Sequence, residues 1–82
     1  MFTPTVQYIA HSATVAATLI IGEQRIPLTK VSPNALYFAP GHSFEPSLAT
    51  VELEVDGKIQ NLRIRVLHPV VPFVEEVAIR QV

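Results

Sequence analysis

Three histidines, His11, His42 and His68, are the only side chains here with neutral ring nitrogens to offer a metal or a proton. They stand 31 and 26 residues apart, and the chain has no Cys. Local metal motifs need ligands a few residues apart, commonly including a thiolate, so no metal site is expected. Glu75-Glu76 could suggest general acid–base work. Adjacent residues on a strand point to opposite faces, so the pair reads as solvated charge. No serine lies in a Gly-x-Ser-x-Gly elbow, and no Gly-rich phosphate loop is present. Arg63 and Arg65 share one strand face, but Glu52 and Glu54 are expected opposite them, where they would neutralise them. An oligonucleotide-binding barrel would want more basic residues and several stacking aromatics, and Tyr8 and Tyr37 lie elsewhere. A net charge of −1 adds no general attraction to polyanions. These residue types argue against catalysis, metal binding and nucleic-acid binding.

The elements that must position these residues are short. Eighty-two residues make one domain, spanning 1–82, with room for a single modest core. Apolar residues form 49% of the chain and charged ones 16%, the latter below the usual value of about 25%. The charge is unevenly placed: Met1 to Gly22 carries none, and all Lys, Arg, Asp and Glu lie between Glu23 and Arg80. No basic n-region of a signal peptide opens the chain, and Met1 reads as a native start. The longest apolar-leaning run, Ala13 to Ile21, is nine residues with two Thr, against the roughly 18 that suggest a membrane span. A cytoplasmic protein without membrane attachment is expected.

Seven Pro and three Gly punctuate β-rich runs. Val15 to Ile21 is a predicted strand, turning through Gly22-Glu23-Gln24-Arg25 so that Ile21 faces Ile26 and Leu19 faces Leu28. Pro27 lacks a ladder donor, so it belongs at an edge or with that position turned away from its partner. Ser32-Pro33-Asn34-Ala35 has turn chemistry, with Pro at i+1, Asn at i+2 and a Ser hydroxyl to close it. A short strand follows from Leu36 to Ala39, then a loop at Pro40-Gly41-His42-Ser43. From Ala49 to Val66 the alternation is clear, with Val51, Leu53 and Val55 before Asp56-Gly57 and Leu62, Ile64 and Val66 after it. A four-residue loop, Asp56 to Ile59, is preferred because it sets Leu53 opposite Leu62 and Glu52 opposite Arg63. Near the C-terminus, Val74, Val77, Ala78 and Val82 have near-helical spacing, with Glu75-Glu76 early and Arg80 late, as a helix dipole favours. The strand composition of Val77-Ala78-Ile79-Arg80 is preferred, with a short C-terminal helix as the competing reading. The fold class is therefore all-β: six or seven antiparallel strands closed into a small barrel that removes exposed edges.

This order of elements resembles the PilZ domain family, small bacterial β-barrels known as receptors for cyclic dimeric GMP. The resemblance rests on Val31 to Phe38, Pro40-Gly41, Thr50 to Val55, Leu62 to Val66, and Val77 to Arg80 as the closing strand. The family's ligand site implies two signatures. Asp/Asn-x-Ser-x-x-Gly maps onto Lys30-Val31-Ser32-Pro33-Asn34-Ala35, where Ser32 matches, Lys30 replaces the acid and Ala35 the glycine. Arg-x-x-x-Arg has no counterpart, because residues 1–24 contain no Arg. Losing two bidentate partners for a dianion removes several kcal/mol, on the order of two charge-assisted hydrogen-bond sets. The resemblance thus implies Lys30, Ser32 and Asn34 as residual ligand-site positions in a divergent member. Read as plain residues, Ser32 stabilises its turn and Lys30 is a solvated strand-end cation.

Without those arginines the uncharged N-terminal segment suits packing, with Phe2, Val6, Tyr8 and Ile9 as candidate interface anchors. It covers the barrel's own open end or meets a neighbour. The expected function is a non-catalytic, PilZ-like adaptor that uses no cofactor and docks a protein partner or a second copy of itself. The alternative is a cyclic dimeric GMP receptor of bacterial signalling.

Overall fold

The computed structural model describes residues 15–82. Six strands form there: β1 (Val15–Ile21), β2 (Gln24–Ser32), β3 (Ala35–Phe38), β4 (Leu48–Val55), β5 (Lys58–Val66) and β6 (Glu76–Gln81). They close into a barrel in the order β1-β2-β3-β6-β5-β4, every neighbouring pair antiparallel, with β4 returning to β1. The all-β barrel is as expected. The helical alternative for the C-terminus is overturned: β6 pairs with β3 on one side and β5 on the other. Its Val77 and Ile79 point inward while Glu76 and Arg80 are exposed, a period of two that a helix cannot supply.

Two hairpin registers differ from expectation, each by two residues. Leu19 faces Ile26 and Ile21 faces Gln24, so β1 and β2 join through Gly22-Glu23 alone. Leu53 faces Gln60 and Val51 faces Leu62, so β4 and β5 join through Asp56-Gly57 alone. Asp56 and Gly57 have φ of 51° and 84°. Both central residues are left-handed, as a type I′ turn requires, and this turn's twist matches that of the strands it joins. A shift of two preserves every inward and outward assignment, so the apolar pattern could not choose between the registers. The turn chemistry decides. Leu53 opposite Gln60 is tolerated because Gln60 is exposed and Leu53 only half-buried, near the hairpin end.

β2 changes neighbours midway. Gln24 to Pro27 pair with β1, and Leu28 to Ser32 pair with β3. Pro27 sits at this changeover, with a registered partner on the β1 side only, Thr18. Just beyond it the β2–β3 ladder steps from Leu28↔Phe38 to Lys30↔Tyr37, leaving Thr29 as an extra residue in a β-bulge. Strict alternation after Ile26 and Leu28 would have turned Lys30 inward. The bulge leaves both Thr29 and Lys30 exposed and gives the inward position to Val31, which packs on the core.

The barrel interior is wholly apolar among the described residues, with no polar or charged residue buried. Leu19, Ile26, Leu28, Leu36, Phe38, Val51, Ile64, Val66 and Val77 fill it. One end is closed by the β3–β4 and β5–β6 connections, where Phe44 and Val70 exchange two backbone hydrogen bonds of 3.1 and 2.8 Å and are both buried.

Candidate functional site

The bulge in β2 and the start of β6 together shape a groove of about 520 Å³ lined by Thr29, Lys30, Tyr37, Phe38, Glu75 and Glu76. Tyr37 is registered with Lys30 on one side and Glu76 on the other. Lys30 Nζ lies 5.1 Å from the Tyr37 ring centroid, within the range of about 6 Å for a cation–π contact. The adjacent Glu76 carboxylate raises the Tyr37 phenol above its ordinary pKa. It does so first by its charge, with desolvation and a hydrogen bond to Glu76 adding in the same direction. Proton loss beside a carboxylate is disfavoured, so the groove holds a neutral phenol between one ammonium and two carboxylates. Lys30 is thus held against an aromatic ring rather than simply solvated.

The other two positions implied by the resemblance lie at the turn. Ser32 Oγ accepts from the Ala35 N–H at 3.1 Å and lies 3.2 Å from the Ala35 carbonyl, to which it can donate. The Asn34 carbonyl accepts from the Ile79 N–H at 3.0 Å, tying the turn to β6. Both residues serve the fold at this point. Ser32→Ala is expected to lower stability by about 1 kcal/mol, the net value of a part-buried hydrogen bond. Urea denaturation would show the midpoint falling with an unchanged slope, and a far-UV spectrum matching the parent would locate the loss in the turn alone.

The histidines are not brought together. His42 is half-buried, with its ring edge-on to Phe38 at 6.1 Å and 82°. His68 accepts from the Ala78 N–H through Nε2 at 3.0 Å, so its proton sits on Nδ1, 3.0 Å from the Pro69 carbonyl. It pins the β5–β6 connection to β6. His11 lies outside the described residues, as do Phe2, Val6, Tyr8 and Ile9. No three His, Cys, Asp or Glu residues form a possible metal cluster among the described residues.

The arginine pairing differs from expectation. In the two-residue β4–β5 register Glu52 faces Asn61 and Glu54 faces Ile59, so neither meets Arg63 or Arg65. Glu52 instead pairs with Arg25 at 2.6 Å, reaching over β1. Reading Asp56-Gly57 as a strict two-residue turn would have revealed this. Arg65 has Leu48 on one side and Arg80 on the other, and Arg63 faces Thr50.

The β5–β6 connection carries a feature that sequence reasoning did not single out. Phe73 is 80% exposed, and Leu67 and Val71 on the same connection are exposed as well. The signal was there, since four of the seven residues from Leu67 to Phe73 are large and apolar. A loop of that composition either packs inward or presents itself outward. Val70 packs inward, and Phe73 points out. No helix among the described residues is long and apolar enough to cross a membrane. Comparison of the chain with protein-family models, with curated proteins and with solved structures finds no match.

Proposed function

We propose that this chain is a non-catalytic, cytoplasmic docking module of PilZ-like architecture that binds a protein partner or a second copy of itself. The observation that carries the reading is the exposed apolar tip of the β5–β6 connection, with Phe73 80% exposed beside Val71 on a barrel whose core is filled without them. Aromatic side chains left in water at a loop tip gain most from a partner that covers them. The cytoplasmic location rests on the sequence reading alone.

In the same reading the module does not take cyclic dimeric GMP. Ser32 is engaged within its turn, Lys30 rests on Tyr37, and Glu75 and Glu76 line the same groove, where a dianion would meet like charge. A photo-crosslinking amino acid at position 73, introduced in cells, is expected to give a discrete adduct that the same group at exposed position 23 does not. A lack of any adduct above the position-23 control would remove the docking reading. Calorimetry with cyclic dimeric GMP at low salt is expected to show no heat. Binding heat with amide shifts between Lys30 and Ala35 would instead select the receptor.

A further inference from the structure

Arg63, Arg65 and Arg80, half of the chain's six basic residues, converge on the outer face of β4–β5–β6. Ile64 and Val66 point inward, so Arg63 and Arg65 point out, about 7 Å apart along the strand. Arg80 is directly opposite Arg65 on β6, so their Cβ atoms lie roughly 5 Å apart. The positions that face these arginines hold Leu48, Thr50 and Val82, none of them acidic, and Glu52, diagonal to Arg63, is engaged by Arg25. None of the three arginines forms an ion pair among the described residues, whereas Arg25 has Glu52. Like charges placed opposite one another on a sheet oppose folding. An anionic partner would turn that repulsion into attraction.

We propose that this face docks an acidic segment of a partner protein, one in which carboxylates alternate with aliphatic side chains. Three guanidinium forks present paired donors that match carboxylates bidentately. Exposed Leu48 and Leu67 beside them supply apolar contact. A nucleic-acid strand fits less well, because no aromatic side chain stands among these outward positions to stack a base. An anionic lipid surface fits less well too, because Glu75 and Glu76 follow the exposed Phe73 and would meet headgroups of like charge. Arg65 is paired on both sides, with Leu48 and with Arg80, so recognition at its position falls to side chains.

The inference rests on the protein-docking reading and narrows it to one face and one chemistry. Its test uses the ¹⁵N-labelled full chain and a synthetic peptide of alternating Glu and aliphatic residues. The comparison probes are the same peptide with Gln for Glu, oligothymidine, and vesicles of phosphatidylcholine and phosphatidylserine. The acidic peptide is expected to shift the amides of Thr50, Arg63 to Arg65 and Arg80, with affinity falling as salt rises. Arg65→Glu sets an acid opposite Arg80, so it keeps the fold while weakening the peptide about tenfold or more, as loss of charge-assisted bonds does. The proposal is overturned if the Gln peptide binds as well, if oligothymidine or vesicles move these amides and the acidic peptide does not, or if R65E binds unchanged. A position-73 adduct that persists in R65E would leave docking intact and sink only this face.

Discussion

Phe38→Ala is expected to keep the barrel fold but to lose a large share of its stability. Phe38 is 2% exposed at the end of the shortest strand, with its ring 5.9 Å from that of Phe44 and the edge of His42 against it. Those two contacts tie β3 to the β3–β4 connection, and through Phe44 to Val70 and the closed end of the barrel. Removing a buried Phe side chain costs about 3–5 kcal/mol, because the lost transfer energy and the cavity add. A domain of this length has about 4–12 kcal/mol in total. The neighbours cannot readily collapse into the gap, since β3 is held by ladders on both sides. Thermal unfolding is expected at a midpoint lower by on the order of 20 °C. Phe38→Leu keeps most of the volume and should cost less than half as much. A Phe38→Ala chain that loses under about 1 kcal/mol in urea would mean that Phe38 is not the packing centre described.

The inward and outward faces were legible in the chain, and the registers were not. Val51, Leu53 and Val55 announce a strand face by alternation, and the structure keeps that face. Shifting the partner by two residues leaves the alternation untouched, so only the turn can choose, and here the intrinsic geometry of Asp56-Gly57 outweighs an attractive Leu–Leu and Glu–Arg pairing. That choice has a functional consequence. It leaves Arg63 and Arg65 without Glu52 and Glu54 and creates the basic face. The groove at Lys30 depends on a different local signal. Ile26, Leu28 and Val31 break phase between Leu28 and Val31, which is how an inserted bulge residue looks from the chain. The pairing of β3 with β6 joins residues some forty positions apart, and no local pattern names a partner at that distance. Arg80 opposite Arg65 follows from long-range pairing too, so the third member of the basic face was out of reach.

The C-terminal strand gives the sharpest test of the fold, because strand and helix assign Val77 and Ala78 differently. On a helix the two share the apolar side with Val74 and Val82. On β6 they point in opposite directions, Val77 fully buried at 0% exposure and Ala78 half-buried on the outer face. Val77→Asp would place a carboxylate in an interior that holds no polar side chain among the described residues. An unpaired buried charge costs several kcal/mol even after relaxation, on the order of the whole stability of the domain. The expected result is a chain without a cooperative unfolding transition and with the far-UV spectrum of an unfolded polypeptide. Ala78→Asp puts the same group on the surface, two residues from Arg80 and diagonal to Arg65. Water and two guanidinium groups then solvate it, and it is expected to fold within about 1 kcal/mol of the parent. A pair of variants that lose stability equally would mean that both positions face the core, and the strand assignment of β6 would fall. Closure of the barrel would fall with it, because among the described residues β6 alone joins β3 to β5.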